Sequence, residues 1–157
     1  MAKFSIVLVA PDIPGNTGSI GRTCVALDIR LILIKPYGFS LDQKSVRRAG
    51  LDYWKHVQLT EYDSFDQFIS GESLNEHPEN LFFFSRFSET PYFNAKFTNS
   101  CYLVFGSETS GLPDHISTDY PSNFFSLPMF SSKIRSLNLS NAATAVAYES
   151  VRQIDFV

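Results

Sequence analysis

The stretch "FSIVLVAPDIPGNTGSIGR" at residues 4–22 decides the fold class of this chain. It begins with a continuous apolar run, Phe4–Ala10, and passes through a turn rich in proline and glycine into residues with helical periodicity. A short buried strand that leads directly into a helix is typical of proteins built on a parallel sheet. The stretch therefore predicts an α/β fold in which the first helix runs from about Asn16 to Leu27.

The three glycines of this stretch invite comparison with nucleotide-binding loops. Gly15, Gly18 and Gly21 are spaced G-x-x-G-x-x-G, whereas the dinucleotide fingerprint requires G-x-G-x-x-G. A Walker-type loop is also excluded, because Asn16 stands where its first glycine should be. The glycines are then expected to make a tight turn, and Asn16 is a candidate N-cap of the helix that follows.

Four further apolar segments predict strands, with helical segments between most of them. The strand candidates are Arg30–Ile34, Leu81–Ser85, Tyr102–Gly106 and Phe124–Leu127. The predicted helices cover about Leu41 to Ala49, about Ser64 to Ile69, and "SNAATAVAYESVRQI" at residues 140–154. The alanines of this last segment give it a surface that another helix or the sheet can approach closely. The pattern predicts a mostly parallel sheet flanked by helices, in a single domain of residues 1–157.

The composition bounds the class of protein. Of 157 residues, 44% are hydrophobic and 15% aromatic, which excludes a disordered chain. No run reaches the length of a membrane span and the N-terminus lacks a secretory signal, so we expect a cytoplasmic protein with no membrane partner. Cys24 and Cys101 lie in apolar contexts and are predicted to be buried, reduced thiols. The three histidines are scattered, so no metal site is predicted.

Charge is uneven along the chain. The net charge of −3 argues against binding of nucleic acid through bulk charge. The segment "KSVRRAGLDYWKH" at residues 44–56, however, combines cations with a tyrosine and a tryptophan, which suits phosphates and bases. A solvated helix face is the alternative interpretation. The candidate RNA-binding residues are Lys44, Arg47, Arg48 and Lys55.

Three loop-like stretches follow strand candidates. They are the opening loop, "FGSETSGLP" at residues 105–113 and "LPMFSSKIRSLNLS" at residues 127–140. Ligands of open α/β sheets bind beyond the carboxyl ends of the strands, so these loops are the expected place for a site.

Taken together, the loops resemble those of the SPOUT-class RNA methyltransferases, specifically the small single-domain tRNA (cytidine/uridine-34-2′-O)-methyltransferases. The resemblance rests on four motifs that occur in the family's order over nearly the whole chain. They are "IPGNTGSIGR", "RRAGLDYW", "LVFGSETSGLP" and "LPMFSSKIRSLNLSNAATAVAYE". The resemblance implies an α/β domain with a C-terminal trefoil knot, an exception to the rule that chains do not knot. It also implies a homodimer that pairs through its terminal helices.

The same resemblance implies an activity and a cofactor. The expected reaction transfers a methyl group from S-adenosyl-L-methionine to the ribose 2′-hydroxyl of the wobble nucleotide 34, a cytidine or modified uridine, in tRNA. Leucine tRNAs are the expected substrates. By matching of residues, the cofactor pocket would be lined by Phe84 after the fourth strand, and by Gly106, Leu127, Ser136 and Leu137. Much of this contact is expected to come from the backbone.

The reaction requires two reactants in line, the loss of a proton from a very weak acid and the exclusion of water. Within "IPGNTGSIGR", "LVFGSETSGLP" and "LPMFSSKIRSLNLS", Glu108 is the only carboxylate, so a conventional base is Glu108 or comes from elsewhere. The resemblance implies that Arg22 activates the 2′-hydroxyl. Because arginine stays protonated, our hypothesis is that Arg22 clamps the adjacent phosphate and polarises the hydroxyl.

The remaining candidate catalytic residues are expected to position these groups. Asn16 and Glu108 would position Arg22 and the loops, and Ser136 with Asn138 would hold the nucleotide or the cofactor. Loop capping is the alternative role for the two asparagines. Three other functions stay open: methylation of another tRNA or rRNA position, a non-catalytic RNA-binding protein of the same fold, and an unrelated nucleotide-binding α/β protein.

Overall fold

The computed structural model describes residues 3–41 and 52–157. Within these ranges six strands form one sheet, in the order β3-β2-β1-β5-β4-β6, and all its neighbouring pairs are parallel. The strands are β1 (Ser5–Val9), β2 (Arg30–Ile34), β3 (Leu59–Tyr62), β4 (Leu81–Phe84), β5 (Tyr102–Phe105) and β6 (Phe124–Phe125). The predicted α/β fold with a mostly parallel sheet is confirmed.

Helices cover both faces of this sheet. They are α1 (Pro14–Leu27), α2 (Phe65–Gly71), α3 (Asp114–Asp119) and α4 (Leu139–Asp155). Because side chains alternate along a strand, Ile6 and Leu8 of β1 pack towards α1 and α4, while Val7 and Val9 pack towards α2 and α3. Two apolar layers therefore enclose the sheet, as expected for a parallel sheet buried on both faces.

Helix α1 differs from its prediction at its start. Pro14 takes the first helical position, where its missing N–H is no loss, and Ile13 is the N-cap. The interpretation of Asn16 as N-cap is therefore wrong. The expectation that the glycines make the turn is also wrong, because all three lie within the helix.

The glycines of α1 serve packing instead. The Tyr53 hydroxyl donates a hydrogen bond to the Gly18 carbonyl oxygen over 2.8 Å. A Cβ placed on Gly21 would lie 2.5 Å from the Trp54 ring. Tyr53 and Trp54 are therefore half-buried against α1, and packing accounts for the two aromatic residues of the basic segment.

The sequence did not predict strand β3 or helix α3. Strand β3, "LTEY", lies at the sheet edge and is only half-buried, so its apolar signal is weak. Helix α3, "DHISTD", is only 6 residues long, and Ile116 is its one buried residue. The predicted helix from Leu41 to Ala49 falls almost entirely outside the described residues.

The C-terminal helix follows its prediction. Ala143, Val146 and Ala147 are buried, and the helix packs on α1, where the Thr23 and Thr144 hydroxyls lie 2.9 Å apart. The prediction of a closely approached small-residue surface is confirmed. Both cysteines are buried free thiols, as predicted, and burial raises the pKa of each to about 12. Across the described ranges, no helix has the length and apolar character needed to cross a membrane.

A polar cluster around Glu72 ties α2 to the sheet. Its carboxylate accepts hydrogen bonds of 2.6 Å each from Arg30 of β2, Tyr62 of β3 and Tyr102 of β5. The side chain of Glu72 is only 11% exposed. Burial alone would raise the pKa of Glu72, but the hydrogen bonds from Arg30, Tyr102 and Tyr62 outweigh it and hold the pKa below its usual value.

Replacing Glu72 with alanine is expected to lower the free energy of unfolding at neutral pH by about 2 kcal/mol, because three donors lose their acceptor. A carboxyl with a depressed folded-state pKa stabilises fully above its ordinary pKa of 4.5, and this contribution is lost as the pH falls through the folded value. Urea unfolding should therefore show a difference from wild type that shrinks in acid. The exposed Glu76 is the control, and an equal loss in Glu76→Ala would contradict the account.

Candidate active site

A cavity of about 800 Å³ opens at the carboxyl ends of the central strands. Four segments surround it: the loop between β1 and α1, the loop of residues 106–113 after β5, the segment of residues 126–138 between β6 and α4, and residues 84–87 at the end of β4. The first three are the loops that the sequence predicted to form a site. The cavity therefore lies where ligands bind in open parallel sheets.

All five residues predicted to hold a cofactor line this cavity. Phe84 is the last residue of β4 rather than a residue after it, and its ring stacks on that of Phe105 with centroids 4.8 Å apart. The five are Phe84, Gly106, Leu127, Ser136 and Leu137. The wall thus offers aromatic and aliphatic surface with a few polar groups, the usual character of a small-molecule site.

The loop after β5 is folded tightly against itself. Ser107 and Gly111 exchange two backbone hydrogen bonds, of 3.2 and 3.0 Å, and Gly111 adopts a φ of +67° that favours glycine. A Cβ on Gly106 would lie only 2.2 Å from the Gly111 carbonyl carbon and 2.3 Å from the Leu112 nitrogen. Glycine is therefore required at position 106 for the loop to fold back along the cavity.

A hydrogen-bonded bridge joins the three segments. The Glu108 carboxylate accepts a hydrogen bond of 2.7 Å from the backbone N–H of Asp12 and a longer one of 3.4 Å from the Asn16 side chain. The Asn138 side chain donates to the Asn16 Oδ1 over 3.0 Å. Asn16, Glu108 and Asn138, predicted as separate motif residues, thus form one chain of contacts across the cavity wall.

Asn138 also begins α4. Its Oδ1 accepts a hydrogen bond of 3.2 Å from the backbone N–H of Asn141 and another from the Ser140 hydroxyl. The capping role considered for this residue is confirmed, and the same side chain reaches Asn16 with its other end. The start of α4 is thereby fixed to the start of α1.

Arg22 lies apart from this bridge. It is exposed on α1, its guanidinium carbon is 5.6 Å from the centroid of the Tyr53 ring, and it is not among the residues that line the cavity. Six helical positions separate it from Asn16, which turns the two side chains about 120° apart around the helix. The two residues therefore serve different faces of α1.

Of the four candidate RNA-binding residues, Lys55 alone falls within the part of the chain that the structure describes. Lys44, Arg47 and Arg48 lie outside the described residues. Lys55 is exposed in the short 3₁₀ turn Trp54–His56 that follows them. Within residues 3–41 and 52–157 no group of three or more His, Cys, Asp or Glu side chains is placed to hold a metal ion.

Sequence reasoning missed several cations and rings at the cavity mouth. Arg86 and Phe87 follow the end of β4 after one intervening residue, and both line the cavity together with Met129 and Arg135. The sequence did contain a signal for them: Arg86 and Phe87, a basic residue beside an aromatic one, follow the carboxyl end of a predicted strand, which is where ligands bind.

Comparison with known proteins also indicates an RNA methyltransferase. The SpoU rRNA Methylase family model matches residues 3–148 of the chain. A relative from Burkholderia cenocepacia, named tRNA (cytidine(34)-2′-O)-methyltransferase, is 40% identical over 154 residues, covering 98% of this chain and 97% of the relative.

Two solved structures resemble this one closely. One is described as giving structural insights into the 2-OH methylation of C/U34 on tRNA; it is 39% identical with a TM-score of 0.83 and covers 97% of this chain and 96% of its own. The other is the SpoU methyltransferase AviRb from Streptomyces viridochromogenes in complex with AdoMet. It is 30% identical with a TM-score of 0.79, covering 95% of this chain and 57% of its own.

Proposed function

The chain belongs to the SpoU rRNA Methylase family and is a methyltransferase, and from this premise we propose that it methylates the ribose 2′-hydroxyl of nucleotide 34 in tRNA. The observation that carries the proposal is the bridge of Asn16, Glu108 and Asn138, which brings three motifs to one cavity. The choice of nucleotide is supported by the names of the Burkholderia relative and of the C/U34 structure.

The cavity fits S-adenosyl-L-methionine in size and chemistry. Its volume of about 800 Å³ is in the range of small-molecule sites, and the stacked rings of Phe84 and Phe105 offer a flat apolar wall suited to an adenine. Gly106, Leu127, Ser136 and Leu137 complete that wall in our proposal. A family member at 30% identity has been solved with AdoMet bound, which further supports this cofactor.

The catalytic work of the chain is positioning. When bound, S-adenosyl-L-methionine would supply a methyl group on a positively charged sulfur: the ribose oxygen would gain the bond to carbon that the sulfur loses, and the hydroxyl proton would leave to solvent by way of the adjacent phosphate. Both oxygens of Glu108 already accept hydrogen bonds, one from Asp12 of the first loop and one from Asn16 of α1, so we assign Glu108 to holding the loops rather than to taking the proton. Asn138 and Ser136 would hold the nucleotide or the cofactor at the cavity wall. Arg22 would clamp the phosphate and polarise the hydroxyl.

A homodimer would bring Arg22 to a cavity. Arg22 is exposed on α1, beside the contact of Thr23 with α4. The exposed stripe of α4 consists of Asn141, Ala145, Tyr148, Arg152 and Asp155. Two-fold pairing of these helices would place Arg22 of the partner subunit near the cavity, and would also duplicate the basic segment. We therefore propose that each active site is completed by both subunits.

The trefoil knot belongs to the same proposal. After β6 pairs with β4 at one edge of the sheet, residues 126–138 return to the cavity beside the loop of residues 106–113. Helix α4 then packs on α1 and β5, on the far side of β4. This path supports threading of the C-terminal segment through a loop, in a single domain of residues 1–157. A tRNA substrate, with leucine tRNAs as the first candidates, also supports a cytoplasmic location.

The test is incubation with methyl-labelled S-adenosyl-L-methionine and total tRNA from a strain that lacks this gene. The expected result is label in tRNA, mapped to a 2′-O-methylated nucleotide 34. Label at another tRNA position or in rRNA would move the protein to a different specificity. Binding of RNA without any transfer of label would favour a non-catalytic RNA-binding protein. The third alternative, an unrelated nucleotide-binding α/β protein, is tested by equilibrium binding. Tighter binding of NAD or ATP than of S-adenosyl-L-methionine would favour it.

A further inference from the structure

Two phenylalanine rings are exposed at the mouth of the cavity. Phe130 is 99% exposed and Phe87 is 78% exposed. Burial of a phenylalanine side chain typically stabilises a protein by about 2 kcal/mol, and neither ring contributes that in the isolated subunit. Phe87 lines the cavity, and Phe130 directly follows the lining residue Met129. Both rings therefore stand beside the candidate active site.

Cations lie on the same segments as these rings. The Arg86 guanidinium carbon lies 4.3 Å from the centroid of the Phe87 ring. Arg86 also donates a hydrogen bond of 3.1 Å to the Arg135 carbonyl oxygen, which joins the residues after β4 to the segment that carries Phe130. We call Arg86, Phe87, Phe130, Lys133 and Arg135 the rim patch. Among the described residues that line the cavity, Glu108 is the one carboxylate.

We propose that the rim patch binds the unpaired bases that flank the methylated nucleotide, with Phe87 and Phe130 each stacking on a base. The inference rests on the proposed function and names the part of the tRNA that this surface recognises. Exposed rings interleaved with arginine and lysine are the combination that binds single-stranded nucleic acid, because every base has a π-face and every phosphate a charge. The target ribose must enter the adjoining cavity, so its neighbours in the anticodon loop reach this rim.

The charge of the rim patch disfavours the other obvious occupant, a second copy of this chain. A two-fold axis through the patch would place Arg86, Lys133 and Arg135 against their own copies. In an RNA complex the same cations face phosphates. Arg86, stacked on Phe87, would keep one face of that ring covered and leave the other for a base.

The experiment uses Phe87→Ala, Phe130→Ala and the double variant, with Phe93→Ala as control. Phe93 is also well exposed, at 58%, but lies in the 3₁₀ turn Tyr92–Asn94 and does not line the cavity. We expect each rim variant to raise the KM for an anticodon stem-loop, and its Kd, by about 5- to 100-fold, with kcat retained. Phe93→Ala should behave as wild type.

An RNA that lacks one base makes the test specific. Each nucleotide beside position 34 is replaced in turn by an abasic one, and binding is measured by fluorescence anisotropy. If a ring stacks on that base, loss of the ring and loss of the base are not additive, so the ring variant binds the abasic RNA as wild type does. Equal losses on intact and abasic RNA, or unchanged binding in both rim variants, would overturn the proposal.

Two controls separate this inference from its premise. If wild type binds the stem-loop but transfers no methyl group to any tRNA, the proposed function fails, while the anisotropy measurement still decides the rim patch. Sedimentation of the double variant decides between RNA and a second copy. A change from dimer to monomer would show that the rings are a subunit contact and would also overturn the proposal.

Discussion

An Arg22→Ala variant is expected to lose about 100- to 1,000-fold in turnover while it binds S-adenosyl-L-methionine as wild type does. The loss follows from removal of the one cation that we assign to the phosphate and hydroxyl of the substrate. Cofactor binding should survive because Arg22 does not line the cavity of its own subunit. Single-turnover methylation and equilibrium binding of the cofactor, measured on the same preparation, check both halves of the prediction.

Arg22→Lys is the conservative comparison. It keeps the positive charge but loses the planar fork, so partial activity is expected. Near-native turnover in Arg22→Ala would remove Arg22 from the mechanism. Loss of cofactor binding in the same variant would instead show that the residue supports the cavity.

A Gly106→Ala variant is expected to bind S-adenosyl-L-methionine about 30- to 150-fold more weakly, which corresponds to about 2–3 kcal/mol. The added methyl group would lie 2.2 Å from the Gly111 carbonyl carbon and 2.3 Å from the Leu112 nitrogen. Both are backbone atoms, so the loop of residues 106–113 must move out of its place on the cavity wall. Calorimetric titration of the cofactor into the variant measures the effect.

Gly15→Ala and Gly38→Ala are matched controls, because a Cβ at either position meets no atom within 4 Å. Both should bind the cofactor as wild type does, and Gly15→Ala should be slightly more stable because it lies in α1. Wild-type affinity in Gly106→Ala would mean that the loop after β5 does not form the cofactor wall.

The two variants together test whether the subunits share an active site. In a mixed dimer, the Gly106→Ala subunit can supply Arg22 to the intact cavity of the Arg22→Ala subunit. Random mixing of equal amounts, assayed at a cofactor concentration near the wild-type Kd so that Gly106→Ala sites stay almost empty, should then restore about a quarter of wild-type activity. If Arg22 acts within its own subunit, the mixture stays as inactive as its parts.

The strands of the core could be predicted because each is a short, nearly continuous apolar run between turns. Strand β3 could not, since its exposed Glu61 and half-buried Thr60 break the apolar pattern at the sheet edge. The predicted helix and the cation cluster of residues 44–48 lie outside the described residues and stay predictions.

The candidate site was predictable as a set of residues but not as an arrangement. The contacts that join Asn16 to Glu108 and to Asn138 span 92 and 122 residues of sequence, and no local pattern encodes them. The same limit hid the use of Gly18 and Gly21, which accept Tyr53 and Trp54 against α1 rather than turning the chain. The spacing of these glycines is visible in the sequence, but their packing role depends on contacts that form only in the folded chain.

The most direct test of the proposed activity compares two tRNA substrates that differ in one atom. Both carry the same sequence, and one has a 2′-deoxyribose at nucleotide 34 in place of the ribose. Transfer of labelled methyl groups is measured for each under identical conditions. The account predicts methylation of the ribose-containing tRNA and none of its 2′-deoxy counterpart, whereas equal methylation of the two would contradict it.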